Sequence, residues 1–314
     1  MRSDQGGHVR AATYSQYSSD VDTIEVRDVP EPKVFPGSVL VEVRAAGVNP
    51  VDWKAMTGGL DPLIDATFPV IPGWDVAGVV VDVGLDAPEF QIGDAVMAYA
   101  RKDVLGPGTF AERVAVSAAA TTRKPDSLTW EQAGGLPLAG GTALRSVDAL
   151  GPIAGRTVLI HAAAGGVGSF AAQIARAQGA RVIGTASERN HEFLRGLGVE
   201  PVSYGEGLTE RVTEMAPEGV DAVADFVGGQ LETTLSVLTP DGVHVSIVDN
   251  DVLAHGGRVI WVRPDGNETA RLAALADRGE LTVEVAGTYG LDEVPEAFRV
   301  SREGHVRGKL VIVP

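Results

Sequence analysis

The spacing of apolar residues changes partway along the chain. From residue 10 to about 125 it predicts short strands divided by Gly, Pro and Asp. VLVEVRAAGV (39–48) partly alternates, with Val39, Val41 and Val43 on one side and Glu42 and Arg44 on the other. DVAGVVVDVG (75–84) is richer in Val and reads as buried on both faces. PEPKVFPG and FPVIPG interrupt the strands with turn signals. From about 128 to 263 strands alternate with helices. TVLIHAA (157–163) is a buried strand, after which Val167, Phe170, Ala171, Ile174 and Ala175 share one helical face, and Gly179 stops the helix. RVIGTAS (181–187), NHEFLRGLG (190–198), DAVADFVGG (221–229) and VHVSIV (243–248) continue the series. That alternation predicts a doubly wound parallel sheet of the α/β class. ETARLAALADRGE (268–280) is an amphipathic helix and RGKLVIV (307–313) a last strand. The expected organisation is a β-rich domain over 1–127, an inserted α/β domain over 128–263, and a return to the first domain over 264–314. The first eight or so residues read as a frayed end.

The strongest chemical signal is HAAAGGVGSFAAQIARAQGA (161–180). A buried strand runs into Gly165, Gly166 and Gly168, and a helix follows at once. Glycine lets backbone approach a pyrophosphate, and a helix N-terminus offers free N–H groups and the positive end of a dipole. Strand before and helix after are the context that such a glycine pattern requires. Ala163 stands at the first glycine position, so the match is to a variant. Ala164, Gly165, Gly166, Val167 and Gly168 are the expected pyrophosphate-binding residues; the plain alternative is an ordinary tight turn. An acidic residue at the end of the second strand would bond a ribose 2′-OH and indicate NAD. Here that position is Ser187, followed by Glu188 and Arg189. A hydroxyl with a nearby Arg suits a 2′-phosphate, so NADPH is the expected cofactor. A shift of one residue would present Glu188 instead, and Ser187 is also a candidate helix N-cap.

Composition narrows the picture. The 314 residues include 26 Lys+Arg and 42 Asp+Glu, a net charge of −16. This argues against nonspecific nucleic-acid binding and against docking on an anionic membrane. With no cysteine, disulfides, thiolate nucleophiles and Cys-based metal sites are ruled out. No apolar run is long enough to span a membrane, and MRSDQGGHVR carries no apolar signal-peptide core, so a cytoplasmic location is expected. The six histidines (8, 161, 191, 244, 255, 305) show no ligand spacing, so no metal site is expected.

An ordered series of motifs gives the chain its resemblance. AAGVNPVDWK (45–54), PVIPGWDVAGVVVDVG (69–84), GDAVMAY (93–99), GTFAERVAV (108–116), LPLAGGTA (136–143), AAAGGVG (162–168) and RGKLV (307–311) resemble the zinc-independent medium-chain dehydrogenase/reductases, in the quinone and enone reductase branch. The resemblance covers nearly all of 10–314. It implies a Rossmann domain inserted in a GroES-like catalytic domain, and commonly a homodimer, with VHVSIV and RVIWVRP as the candidate edge. Zinc-dependent relatives carry Gly-His-Glu where this chain has Gly73-Trp74-Asp75. The implied reaction is metal-free hydride delivery from NADPH to the conjugated C=C of an enone, or to a quinone, with negative charge developing on the carbonyl oxygen. A polyketide-like intermediate reduced by an enoyl reductase or reductive cyclase is one alternative. A noncatalytic NADPH-binding sensor is another.

By the same resemblance Asn49 borders the nicotinamide cleft, its amide donating to ribose or substrate. The alternative is that Asn49 caps a helix, with Pro50 at its first position and Asp52 in its first turn. Lys54 and Tyr99 are candidate proton or hydrogen-bond donors, and Trp53 and Trp74 candidate slot walls or core. Thr142 resembles the threonine that faces the nicotinamide, and Lys309 the lysine that faces the cofactor. Tyr204 is placed toward the adenosine end, and Val227 closes the fourth strand beside the ribose. TGGLDPLIDATFP (57–69) reads as a substrate lid or a packed surface loop.

Overall fold

The computed structural model describes residues 7–314. Of the expected frayed end, residues 1–6 lie outside the described residues, and His8 already begins a strand. In chain order, β1 (His8–Thr13) and β2 (Glu25–Pro30) precede β3 (Ser38–Val48), α1 (Pro50–Met56), β4 (Asp75–Val83), β5 (Ala95–Tyr99), β6 (Arg113–Ser117), β7 (Thr121–Arg123) and α2 (Trp130–Gly135). Next come α3 (Pro137–Ala149), β8 (Thr157–His161), α4 (Gly166–Ala177), β9 (Arg181–Ala186), α5 (His191–Gly196), β10 (Glu200–Ser203) and α6 (Leu208–Met215). The series continues with β11 (Val220–Asp225), α7 (Leu231–Val237), β12 (Leu238–Ser246) and β13 (Arg258–Val259), and α8 (Gly266–Asp277), β14 (Val285–Tyr289), α9 (Val294–Glu303) and β15 (Lys309–Ile312) complete it.

Two compact units result. The first holds the described residues up to Leu138, with Arg263–Asp277 and Val283–Pro314; the second holds Ala139–Val262 with Arg278–Thr282. In the first unit β3 is central, pairing antiparallel with β4, β6 and β15. Its alternation is therefore only partial: Leu40, Ala45 and Ala46 are buried along with Val39, Val41 and Val43. Helix α2 lies on β3 and β4 in this unit. Glycines make that approach possible. A Cβ on Gly134 would fall 2.8 Å from the Ala45 backbone, and one on Gly47 would fall 2.7 Å from Gly134 O. Residues 128–138 thus fold with the β-rich unit, ten or so residues beyond the boundary that strand–helix alternation suggests.

The second unit is a six-stranded, all-parallel sheet in the order β10-β9-β8-β11-β12-β13. This is a Rossmann order, with the winding direction reversing between β8 and β11. Leu159, Ile183, Val202, Val212 and Val223 form one layer of its core. Helix α4 ends as its sequence predicts. Gly179 takes φ +86°, its N–H donates to Arg176 O, and Ala180 N–H donates to Ala175 O. Gln173, buried on α4, receives Thr282 N–H at 2.8 Å and donates to Thr282 O at 3.1 Å, which draws 278–282 into this unit. Among the described residues no helix is long and apolar enough to cross a membrane.

Candidate active site

In the second unit the glycine turn follows β8 directly. Gly165 is the N-cap of α4 and offers no side chain to the helix, so the first N–H groups of α4 are left without a side-chain cap. Gly165, Gly166 and Val167 are half-buried, while Gly168 is buried. A Cβ on Gly168 would come 2.2 Å from Ala162 O. Ala162 itself takes a left-handed φ of 55°, unusual for a residue with a Cβ. The turn is thus drawn tight against the strand end, with open N–H groups at a helix N-terminus. These residues fit a dinucleotide's pyrophosphate.

Three other predicted cofactor residues of this unit follow strand ends on the same sheet edge. Ser187 follows β9, Tyr204 follows β10 and Val227 lies two residues beyond β11. Ser187 occupies the N-cap position of a short turn, Glu188–Asn190, but its side chain makes no cap bond. It receives a long hydrogen bond from Asn190 Nδ2, at 3.4 Å. Glu188 and Arg189 are both exposed, as are Tyr204 and Val227. Thr142 is buried on α3, and its carbonyl accepts from Ser146 Oγ at 2.8 Å.

Asp225, a residue the sequence reading missed, shapes the edge at the switch point. Its Oδ1 accepts the N–H groups of Val227 and Gly228, both at 3.0 Å, and its Oδ2 accepts Ser246 Oγ at 2.9 Å. It stands opposite His161 in the β8–β11 ladder. His161 is fully buried, and burial holds its imidazole down at about 4 against a partial opposing effect of Asp225. It is a neutral packed residue.

The first unit gathers a buried charged cluster from three distant segments. Asn49, Asp52, Asp75 and Lys309 are all buried. Asn49 is the N-cap residue of α1, yet its side chain turns away from the helix. Its Nδ2 donates to Asp75 Oδ2 at 2.8 Å and to Gly47 O at 3.3 Å. Its Oδ1 accepts from Lys309 Nζ, which also donates to Val48 O at 2.9 Å. Capping falls to Asp52, whose Oδ2 accepts the Asn49 N–H at 2.7 Å. Asp75 Oδ1 accepts the Leu138 N–H at 2.7 Å, in the first turn of α3. Both hydrogens of the Asn49 amide therefore have acceptors within this unit.

Burial dominates the titration of this cluster. It pushes Asp52 up to about 7, with Asp75 adding to the rise and the Asn49 N–H opposing it. It pushes Asp75 up to about 6, opposed first by Lys309 and then by the Asn49 amide. Burial lowers Lys309, offset by the two carboxylates. Two carboxylates against one ammonium leave a surplus negative charge, which protonation of Asp52 relieves.

Tyr99 ends β5 opposite Asp75 at the start of β4. It is buried, and its hydroxyl is pushed up by burial, with Arg101 opposing. Trp74 packs on it, ring centroids 6.2 Å apart. Lys54 stands elsewhere. It is exposed, with Nζ 5.6 Å from the Trp53 ring, which Arg302 also covers at 5.8 Å. A hydrated ammonium on this ring is not a positioned proton donor, and Trp53, bonded to Ser301 Oγ at 3.3 Å, is not a buried wall. The segment 57–69 is pinned as well as apolar: Thr67 N–H donates to Leu105 O, Leu105 N–H donates to Asp65 O, and Tyr17 bonds Asp61 at 2.6 Å. Among the described residues no group of His, Cys, Asp and Glu could hold a metal ion.

A β-rich unit interrupted by a Rossmann unit, with an uncapped glycine turn at the switch point, defines a nucleotide-dependent oxidoreductase of the GroES-like type. Comparison agrees. Residues 35–126 match the alcohol dehydrogenase GroES-like domain, and residues 197–312 match the zinc-binding dehydrogenase family. The 2-methylene-furan-3-one reductase of Solanum lycopersicum is 32% identical over 98% of this chain and 79% of its own length. The chloroplastic NADPH-dependent alkenal/one oxidoreductase of Arabidopsis thaliana is 33% identical over 98% and 80%. The solved quinone oxidoreductase from Coxiella burnetii superposes with a TM-score of 0.86 at 31% identity, over 98% of this chain and 100% of that one. This chain belongs to the medium-chain dehydrogenase/reductase superfamily, among its quinone oxidoreductases and enone reductases. The family is nicotinamide-dependent.

Proposed function

We propose that this chain reduces the conjugated C=C of a small enone, or a quinone, with NADPH as the reductant. The observation that carries the reading is the glycine turn, whose uncapped N–H groups and missing Cβ atoms suit a pyrophosphate. The names of the relatives supply the acceptor class. A bound reduced nicotinamide supplies the hydride.

The chain's own residues do the rest. Ala164 to Gly168 receive the pyrophosphate. Ser187, whose hydroxyl makes no cap bond, and the exposed Arg189 receive the 2′-phosphate and favour NADPH over NADH. Tyr204 and Val227 flank the adenosine and ribose sides of the same edge. In the first unit the candidate cofactor residues are Asn49 and Lys309, held as a preformed pair by Asp52 and Asp75; in the second the candidate on α3 is Thr142. Tyr99, which burial keeps protonated, acts as a neutral hydrogen-bond donor. The working form is a homodimer.

The test is loss of nicotinamide absorbance with NADPH or NADH, against one alkenone and one quinone. Wild type should consume NADPH with either acceptor and prefer it to NADH. Arg189→Ala should lower the NADPH-to-NADH ratio of kcat/KM about 10-fold or more, the scale of a lost charge-assisted bond. A wild-type preference for NADH would give the ribose to Glu188 instead. No turnover with any acceptor would overturn the reading.

A further inference from the structure

The sheet of the second unit ends in two unlike halves. Where β8 meets α4, the first N–H groups of the helix have no side-chain cap. Where β11 and β12 end, the N–H groups are taken. Asp225 Oδ1 accepts those of Val227 and Gly228, both at 3.0 Å. Ser246 Oγ accepts those of Val248 at 3.2 Å and Asp249 at 3.1 Å. The same hydroxyl donates to Asp225 Oδ2 at 2.9 Å, and Ile247 N–H donates to Asp225 O at 3.2 Å. One carboxylate and one hydroxyl thereby tie two loops, 226–229 and 247–249, to each other and to the strand ends. The loops also meet directly: a Cβ on Gly228 would stand 3.1 Å from Val248 Cγ2.

Packing alone does not require this pair. Asp225 is 4% exposed and Ser246 fully buried. Two aliphatic residues would fill the strand ends without the cost of desolvating a carboxylate. Apart from the bond that joins them, each hydrogen bond of these two side chains ends on a loop N–H beyond the sheet. Their place in the sheet is specific as well. Asp225 stands opposite His161 in the β8–β11 ladder, and Ala162, with its left-handed turn, follows His161. The 226–229 loop and the glycine turn therefore leave neighbouring strands at one level, on either side of the winding reversal. In a doubly wound sheet a dinucleotide lies across that crevice, one nucleotide on each half. Open N–H groups draw the pyrophosphate to the glycine turn. The half whose N–H groups are already used is left to the nicotinamide and its ribose.

We propose that Asp225 and Ser246 are a positioning pair for the nicotinamide end of the cofactor. The two side chains act through the backbone of 226–229 and 247–249, which they fix before the cofactor arrives. Without the hydroxyl, the Val248 and Asp249 N–H groups lose their acceptor and the two loops separate from each other. A shift of about 1 Å in the bound ring costs on the order of 100-fold in rate. This deepens the reductase reading and rests on its cofactor assignment.

The experiment uses the full chain and calorimetry with two ligands. One is NADPH; the other is adenosine 2′,5′-bisphosphate, which carries only the adenosine half. Ser246→Ala should weaken NADPH about 10-fold, leave the bisphosphate within about 2-fold of wild type, and lower kcat with an alkenone about 10- to 100-fold. Asp225→Asn keeps an oxygen for the Val227 and Gly228 N–H groups but loses the acceptor for Ser246. It should give the same pattern in weaker form, and it carries the test if Ser246→Ala does not fold. A merely structural role would weaken both ligands alike, or lower the thermal midpoint and leave binding unmoved; either result overturns the proposal. NADH paired with AMP repeats the comparison, so a preference for either dinucleotide leaves the test intact. If wild type binds no dinucleotide, the cofactor reading fails and the positioning role falls with it. Tight binding that is identical in wild type and both variants overturns the positioning role alone.

Discussion

Asp52 and Asp75 share one ammonium in a place that water does not reach, and the arithmetic of charge has a measurable consequence. Both carboxylates titrate above their ordinary value of 3.8, near 7 and 6. Folding therefore favours their protonated forms. The stability they contribute is complete below about pH 4 and is lost as pH rises through 6 and 7. Asp52→Asn stays neutral at every pH and keeps an oxygen for the Asn49 N–H. Urea unfolding at pH 5 and pH 8 should show wild type losing stability relative to the variant by on the order of a few kcal/mol. Parallel pH dependence in the two proteins would mean that Asp52 ionises freely. Little of this cluster could be read from the sequence. Asn49 and Lys309 were named there singly, but 260 positions separate them, and no local pattern reports so distant a contact. Asp75 drew notice only as a departure from a zinc motif. A clearer signal was available: an acidic residue opening a strand whose next six positions are Val, Ala and Gly requires a buried partner.

At the scale of elements, periodicity served well where one face of a helix or strand is buried. The α4 face, its glycine stop and the parallel strands around it stand as the apolar spacing implies. It served less well where glycine decides packing. Helix α2 lies beyond the boundary expected near 128, but Gly134 and Gly135 set it against β3 and Lys309. Nor does sequence disclose that Ala162 carries the left-handed turn, because alanine has no preference for that conformation. The turn's geometry makes Gly168→Ala an informative change. The new Cβ would stand 2.2 Å from Ala162 O, which is backbone in an already strained residue. The expected loss is about 1–3 kcal/mol of stability, together with weaker NADPH binding, since the N–H groups of α4 must move. Gly196→Ala is the control. Nothing lies within 4 Å of its Cβ, and its φ is not positive. Its thermal midpoint should stay near that of wild type. Equal behaviour of the two variants would mean that α4 shifts freely against β8.

For the whole molecule, the sheet of the second unit leaves one end to be explained. Strand β13 is two residues long and closes the order next to β12 alone, so its outer backbone is unpaired within the sheet. Large apolar side chains cluster around it: Val248 follows β12, Leu253 sits on the turn packed against β12 and β13, and Trp261 follows β13 at 51% exposure. An open strand edge beside exposed apolar groups invites pairing with a second copy, and a two-fold contact lets the same patch serve both partners. This is the edge that VHVSIV and RVIWVRP suggested by resemblance, and it supports the homodimer proposed above. Sedimentation should give twice the 32.7 kDa chain mass at micromolar concentration. Trp261→Asp places a charge beside β13 and should weaken association about 30-fold or more, with far-ultraviolet circular dichroism unchanged. If wild type sediments as a single chain at every concentration, the dimer is wrong. If Trp261→Asp remains as dimeric as wild type, the two copies meet through another surface, and the apolar rim of β13 serves some other contact.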